Sequence, residues 1–189
     1  KIDFSLSVDT LVKMGVLQFN EVFKAKDIIV GKAEIIDVFA DVAKVDADYK
    51  AESELEKKKE VAAIKAYLAK NKINAIESPE GVFVAVKTPG DAANKIDTTK
   101  IASVLYKGYT FKGDVFDTNM KPDGKPYDVK VGAGAVIPGW EIGLQYFGKG
   151  GKGSIYIPAM LAYGSQANGV IKAFENLAFD IEIEDVTKK

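Results

Sequence analysis

The sequence contains no cysteine, no histidine and no arginine, so every basic side chain is a lysine. The absence of cysteine excludes disulfides, and the absence of both cysteine and histidine excludes the usual zinc sites, thiol catalysis and a Ser-His-Asp triad. Without arginine, the chain lacks the side chain that binds phosphate and guanine in a bidentate manner. An enzyme of this composition must use chemistry that needs no metal and little proton transfer, and we predict no cofactor.

Long apolar runs and an excess of charge are also missing. The 189 residues carry a net charge of −1, and 47% of them are hydrophobic and 28% charged, as in ordinary globular proteins of one or two domains. No stretch approaches the roughly 20 apolar residues of a membrane helix. Lysines are matched by acidic residues along the chain, so we predict no nucleic-acid partner. Because the chain begins at Lys1, we expect a trimmed segment before it.

Residues 46–71 predict one long helix, because the segment lacks glycine and proline. Asp46 or Asp48 is its predicted N-cap. An apolar stripe occurs only in the second half, at Val61, Ile64 and Leu68. We interpret the helix as a charged spacer that packs at its C-terminal end. The alternative is a plain surface helix of one compact domain.

Residues 72–189 predict a mostly antiparallel sheet with one buried face. Strands are predicted at 81–87, 101–111, 115–117, 126–132, 153–158 and 176–186. The last strand alternates most cleanly, and its apolar face consists of Leu177, Phe179, Ile181 and Ile183. A short helix at about 139–147 is predicted to cover that face.

The first 45 residues contain a weak echo of the C-terminal part. The segment AEIIDV at 33–38 matches IEIEDV at 181–186, and FSLSVDTLVKMG at 4–15 resembles SIYIPAMLAYG at 154–164. We interpret the first copy as the second half of a degenerate internal duplication. The alternative is chance similarity between two β-rich segments.

Trp140 is the one tryptophan of the chain, and it follows Pro138 at the predicted start of the short helix. Proline suits that place, because its missing N–H would be unpaired there. Five further aromatic residues lie on predicted strands or just after them: Tyr106, Phe116, Tyr127, Tyr163 and Phe179. The six aromatic side chains form either an ordinary core or the walls of an open cavity.

Six motifs occur in a specific order: VLYKG, VFD, PYDVKVGAGAVIPGWEIGL, GGKGSIYIP, LAYG and LAFDIEI. In order and spacing they resemble the FKBP-type peptidyl-prolyl cis-trans isomerases over about residues 82–186. The long charged helix resembles the Mip-like bacterial branch, and the partial first copy resembles duplicated FKBP lipoproteins of the Bacteroidetes.

The resemblance implies an α+β fold in which a twisted antiparallel sheet wraps around a short helix. It divides the chain into a partial β-rich unit at 1–45, a spacer helix at 46–71 and an isomerase domain at 72–189.

The resemblance also implies a site and an activity. The implied catalytic residues are Asp117, Tyr163 and Ile137, the last through its backbone N–H. The implied substrate-binding residues are Tyr106, Phe116, Tyr127, Val136, Trp140, Ile171 and Phe179. Rotation about an X–Pro bond needs no nucleophile, metal or proton relay, so the activity suits a chain without histidine, cysteine and arginine.

The sequence departs from the family pattern in two places. Lys172 and Ala173 stand where the late loop usually carries two prolines, and Ala135 stands where an acidic residue often precedes Val-Ile. Two functions therefore remain open. One is an active isomerase that assists the folding of exported proteins, and the other is a non-catalytic peptide-binding chaperone or scaffold that uses the same pocket.

Partners and location follow from the resemblance. We expect proline-containing polypeptides as substrates, macrolides of the rapamycin type as inhibitors, and a periplasmic or lipid-anchored location in the cell envelope. Strands near 2–8 and 27–38 would have bare edges, so we hypothesise a homodimer through residues 1–45. Dimer formation would bury Ile28, Val30, Ile35 and Val38. The alternative is that residues missing from this chain complete the copy within one molecule.

Overall fold

The structure is a computed structural model that describes residues 1–20, 22–35, 38 and 41–189. It forms two compact units, residues 1–49 (unit 1) and residues 50–189 (unit 2). The three-part division drawn from the sequence, at 45/46 and 71/72, stays a prediction. Within the described residues, no helix is both long enough and apolar enough to cross a membrane.

The described part of the chain contains nine strands and three α-helices. The strands are β1 (Ile2–Ser7), β2 (Ile28–Ala33), β3 (Ile76–Glu77), β4 (Phe83–Thr88), β5 (Lys100–Thr110), β6 (Val115–Thr118), β7 (Tyr127–Lys130), β8 (Lys152–Ile157) and β9 (Leu177–Lys188). The helices are α1 (Val8–Lys13), α2 (Val42–Lys70) and α3 (Pro138–Leu144). Short 3₁₀ turns lie at Ala92–Asn94 and Ala159–Leu161.

Unit 1 is built on a two-stranded antiparallel sheet of β1 and β2, in which Phe4 lies opposite Gly31 and Leu6 opposite Ile29. Strand β1 agrees with the strand predicted near 2–8. Strand β2 ends at Ala33, so the strand predicted over 27–38 is too long. The predicted strand also included Ile36 and Asp37, which lie outside the described residues. The same holds for that part of the AEIIDV echo at 33–38.

Unit 2 contains a seven-stranded antiparallel sheet in the order β3-β4-β8-β9-β5-β6, with β7 paired to β5. Strand β9 lies at the centre, hydrogen-bonded to β5 on one side and to β8 on the other. The alternating residues Leu177, Phe179, Ile181 and Ile183 are all buried in the main apolar core. The predicted fold class, a short helix with an antiparallel sheet, is confirmed.

Helix α3 lies very close to β8, because two glycines face that strand. A Cβ atom on Gly143 would lie 2.6 Å from the Ile155 side chain, and one on Gly139 would overlap Ile157. The spacing of four residues puts both glycines on one face of the helix. The helix is shorter than the predicted 139–147, because the N–H groups of Tyr146 and Phe147 donate to the carbonyls three residues before them and form a tight turn.

Helix α2 begins at Val42, so the predicted caps Asp46 and Asp48 are wrong. Asp41 is the cap instead, since its carboxylate accepts the Lys44 N–H at 2.9 Å. The predicted packing of the C-terminal half is confirmed, with Ile64 and Leu68 buried.

The second face of the sheet is covered by helix α2. Its residues Ile64 and Leu68 pack there against Phe83, Tyr156 and Ala178. The prediction of a sheet with one buried face is therefore wrong over β4, β8 and β9. Phe83, Tyr156 and Ala178 each alternate with residues of the main core, and so they point to the opposite face.

Candidate active site

The floor of the candidate site is an edge-to-face cluster of aromatic rings. Trp140, in the first turn of α3, contacts Tyr106 at a centroid distance of 5.0 Å and Phe179 at 5.3 Å. Phe116 packs edge-on against Phe179 at 5.5 Å. Such geometry is preferred because the positive edge of one ring meets the negative face of another. The alternatives left open by the sequence, core or cavity wall, are thus both realised, because Trp140 is only 4% exposed and still lines a cavity.

The cavity has a volume of about 430 Å³. It is lined by Tyr106, Phe116, Asp117, Tyr127, Gly134, Ala135, Val136, Ile137, Trp140, Tyr163 and Phe179. Nine of the residues assigned from the sequence are in that set, and Gly134 and Ala135 are additional. The sheet supplies one wall, and the loop before α3 supplies the rim.

Ile171 is the assigned residue that does not line the cavity. Its side chain is 4% exposed and belongs to the main core. The backbone of Ile171 exchanges two hydrogen bonds with Asn168, at 2.9 and 3.0 Å. This tight turn holds Ile171 in the core rather than in the cavity wall.

Gly108 on β5 allows the aromatic rings to come together. A Cβ atom at this position would lie 2.6 Å from the Phe116 ring and 2.8 Å from the Phe179 ring. Because Gly108 has no side chain, the rings of Phe116 and Phe179 occupy the space that a Cβ atom would take.

The rim of the cavity is held by a residue that the sequence reasoning missed. Glu141, on α3, accepts the backbone N–H groups of Gly132 and Gly134 at 3.1 and 2.9 Å. These bonds fix the loop that leads to Val136 and Ile137. The signal in the sequence was an acidic residue in the first turn of a helix after a glycine-rich loop, where free N–H groups need acceptors.

Asp117 and Tyr106 form the polar pair of the cavity. The Tyr106 hydroxyl donates to Asp117 Oδ2 at 2.6 Å. Burial, and next the hydrogen bond to Asp117, raise the pKa of Tyr106 well above its ordinary value. Tyr106 therefore stays protonated at neutral pH, and Asp117 acts as an acceptor that faces an apolar chamber.

Three donors at the cavity have no acceptor within the described residues. The Trp140 Nε1–H is buried without a partner. The Tyr163 hydroxyl and the Ile137 N–H also make no hydrogen bond to any residue that the structure describes. Of these three donors the Trp140 Nε1–H is the buried one; leaving such a donor unpaired costs about 1–3 kcal/mol, and such exceptions are expected at functional sites.

The chemistry of the site is thus apolar, with a few donors and one carboxylate. Among residues 1–20, 22–35, 38 and 41–189, no cluster of acidic side chains could hold a metal ion. An antiparallel sheet packed around one short helix, with an apolar aromatic chamber of this size, has the features of a small-molecule or side-chain binding pocket.

Comparisons with known proteins agree with this class. The family model of the FKBP-type peptidyl-prolyl cis-trans isomerases matches residues 92–184. The chain is similar to the solved structure of FkpA from Escherichia coli, with 30% sequence identity and a TM-score of 0.59. The match covers 77% of this chain and 68% of the FkpA chain. A peptidyl-prolyl cis-trans isomerase from Pseudomonas syringae pv. tomato covers 69% of this chain and 96% of its own, at 28% identity and a TM-score of 0.56.

Curated relatives match in sequence over the same region. FK506-binding protein 4 of Chaetomium thermophilum is 46% identical over 84 residues, which are 44% of this chain and 17% of that protein. FkpA of Buchnera aphidicola is 38% identical over 110 residues, which are 58% of this chain and 44% of that protein. The chain thus spans less than half the length of the curated relatives it matches. It belongs to the FKBP-type peptidyl-prolyl cis-trans isomerase family.

Proposed function

We propose that this chain accelerates the cis–trans isomerisation of X–Pro bonds in polypeptides. The observation that carries the proposal is the aromatic cavity of about 430 Å³ floored by Trp140, whose lining includes three donors that have no acceptor within the described residues. A proline ring is apolar and compact, and it fits a chamber walled by Tyr106, Phe116 and Phe179. Family membership supports the same activity.

The proposed mechanism uses the environment rather than a reactive group. Rotation about the peptide bond has a barrier of about 18–20 kcal/mol, because the planar amide is stabilised by resonance. Cis and trans X–Pro differ by only about 0.5–1 kcal/mol, so the task is kinetic. An apolar chamber disfavours the polar planar amide relative to the twisted one. The Ile137 N–H and the Tyr163 hydroxyl are the donors that favour the twisted state.

Roles are assigned to the remaining residues on the same basis. Asp117 holds the Tyr106 hydroxyl and orients that ring as a wall. Phe116, Tyr127, Val136, Trp140 and Phe179 complete the chamber around the proline ring. Ile171 acts from the core, as support for the late loop, rather than by touching the substrate.

A protease-coupled assay on peptides that contain Ala-Leu-Pro or Ala-Phe-Pro tests the proposal. We expect Phe116→Ala and Asp117→Ala to lower kcat/KM by about tenfold or more, or roughly 1.4 kcal/mol or more of transition-state stabilisation. The matched control is Asp123→Ala, an exposed carboxylate outside the cavity. If both cavity variants are folded and as active as the wild type, the assigned pocket is wrong.

The second candidate function is a non-catalytic peptide-binding chaperone. It is favoured by the late loop, in which Lys172 and Ala173 are followed by Phe174, which is 51% exposed with a positive φ of 56°. An exposed aromatic side chain on a strained backbone is typical of a binding surface. Peptide binding without acceleration in the same assay would select this function.

Macrolides of the rapamycin type are proposed inhibitors, because they would compete with proline for the apolar chamber. The altered late loop is expected to weaken their binding relative to that of relatives with two prolines there. Titration of the isomerase assay with rapamycin tests this, and full activity at saturating rapamycin would contradict it.

A homodimer through residues 1–45 is proposed from the apolar surface of unit 1. Ile28 and Val30 on β2 are 65% and 79% exposed, and Ile35 and Val38 are exposed as well. Light scattering on the full chain tests the dimer, with Val30→Lys expected to produce monomers and Lys112→Glu, at an exposed position of unit 2, as the control. A monomeric mass of the wild type at tens of micromolar would contradict it. A fragment that starts at residue 72 is a poor test, because it lacks Ile64 and Leu68 of the second apolar cluster.

We also propose that the chain belongs to the Mip-like or duplicated lipoprotein branch of the family and is located in the cell envelope. The basis is the long charged helix α2 and the partial first copy. The role that follows is to assist the folding of exported proteins. Fractionation of cells that produce the complete gene product tests the location, and recovery in the cytoplasmic fraction would contradict it.

A further inference from the structure

Glu60 lies within α2 and is 5% exposed although it is an acidic residue. Its Oε2 atom accepts the backbone N–H of Met160 at 3.0 Å. Its Oε1 atom is buried and has no hydrogen-bond partner within the described residues. Burial raises the pKa of Glu60, the Met160 N–H opposes the rise, and the neighbouring Glu56 adds to it. An apolar residue would avoid the unpartnered oxygen but would leave the Met160 N–H without its acceptor, so the contribution of this carboxylate is its bond to the turn that contains Met160.

The hydrogen-bond partners of Glu60 belong to two distant parts of the chain. Met160 lies in the 3₁₀ turn Ala159–Leu161. The Ala159 N–H donates to Asn176 Oδ1 at 3.0 Å, and Asn176 Nδ2 donates to the Glu60 carbonyl at 3.2 Å. Both leading N–H groups of the turn are therefore capped from outside, one by Glu60 and one by Asn176. Helix α2, the turn and Asn176, the residue before β9, are joined in a closed set of three hydrogen bonds.

The turn that Glu60 caps leads directly to the cavity. The N–H groups of Ala162 and Gly164 donate to the Ala159 carbonyl at 2.9 and 2.8 Å. Tyr163, which lines the cavity, lies between these two residues. Both neighbours of Tyr163 are bonded to the Ala159 carbonyl, so the turn determines the direction of the Tyr163 side chain.

We propose that Glu60 is a positioning residue, which holds the 3₁₀ turn so that the Tyr163 hydroxyl stands over the cavity. The inference rests on the proposed isomerase function. Under this proposal the C-terminal half of α2 is part of the catalytic unit and not merely a spacer.

Three substitutions in the full chain test the role of the carboxylate. Glu60→Met has a similar length but accepts no hydrogen bond from Met160, and we expect kcat/KM to fall about tenfold. Glu60→Gln keeps an acceptor oxygen and should stay within about twofold of the wild type. Glu52→Ala, an exposed position two turns earlier on α2, is the matched control and should have no effect.

A double-mutant cycle separates positioning from general destabilisation. If Glu60 acts through Tyr163, Glu60→Met should lower kcat/KM by less than about twofold in a Tyr163→Phe background. An equal loss in both backgrounds, or no loss in either, would overturn the proposal. So would a Glu60→Met chain that does not fold beside a Glu60→Gln chain that is folded and fully active, because the role would then be purely structural.

Failure of the proposed function would be visible separately, as a wild-type chain that does not accelerate isomerisation. The positioning is then read from the NMR shifts of the Tyr163 ring protons. Glu60→Met should move these signals and Glu60→Gln should not. Unchanged signals in both variants would overturn the inference independently of activity.

Discussion

Strands with a similar alternation of apolar residues are buried in unit 2 and exposed in unit 1. In unit 2, the apolar residues of β9 are buried, because β5 and β8 flank the strand and helices cover both of its faces. In unit 1, Ile2, Phe4 and Leu6 alternate in the same way on β1 but are 55%, 39% and 42% exposed. Val8 is the one apolar side chain that is fully buried in the described part of unit 1. Burial therefore depends on how many partners a strand has, more than on its own pattern.

The largest expected effect comes from removing the same side chain in both units. Leu177→Ala on β9 should lower the free energy of unfolding by about 2–5 kcal/mol, since a fully buried leucine leaves a cavity. Leu6→Ala on β1 should change it by about 0.5 kcal/mol or less, as at other exposed positions. Urea unfolding followed by circular dichroism measures both. Similar losses would show that β1 is covered in solution, for instance by a second copy.

A medium effect is expected from adding one methyl group to a crowded glycine in each unit. Gly143→Ala should destabilise unit 2 by about 1–3 kcal/mol, because the new Cβ meets Ile155 in a packed core. Gly31→Ala on β2 meets the Phe4 ring, which is 39% exposed and can move aside. Thermal unfolding of the two variants checks the contrast. Equal stability of Gly143→Ala and the wild type would mean that α3 is not held against β8.

The smallest expected effect is a pH dependence from Glu60, the buried acid of unit 2. Its pKa is raised in the folded state, so the folded chain binds more protons than the unfolded one between about pH 4.5, its ordinary value, and the folded value. The stabilising contribution is complete below the unfolded pKa and is lost as the pH rises through the folded one. The stability of Glu60→Gln relative to the wild type should therefore increase from pH 4 to pH 7. Exposed Glu52→Gln is the control, and a flat difference for Glu60→Gln would contradict the assignment.

Patterns that depend on neighbouring residues in the chain could be predicted from the sequence. The alternation at 176–186 predicted the buried face of β9, and the segment around Trp140 predicted a helix over the sheet. Nine of the ten assigned site residues lie together around the cavity, although their roles stay predictions. This information came from the motifs of a known family, because the number of aromatic residues alone favoured an ordinary core over a cavity.

Features that depend on contacts between distant residues could not be predicted in this way. The burial of Ala178 and Tyr156 results from α2, whose position on the sheet no local pattern encodes. The start of α2 was misplaced, because Asp41, Asp46 and Asp48 are equally good caps as isolated residues. Ile171 was assigned to the cavity by its place in the late loop, but a two-residue hydrogen-bond pair with Asn168 holds it in the core.

The single tryptophan has a practical consequence. Since Trp140 forms the floor of the cavity and the chain has no other indole, its fluorescence arises from one defined location. A ligand that displaces water from the chamber should shift that emission. Occupancy of the cavity can therefore be followed on the unlabelled protein through the emission wavelength of Trp140. The residue that closes the chamber from below is thus also an intrinsic optical probe of what enters it.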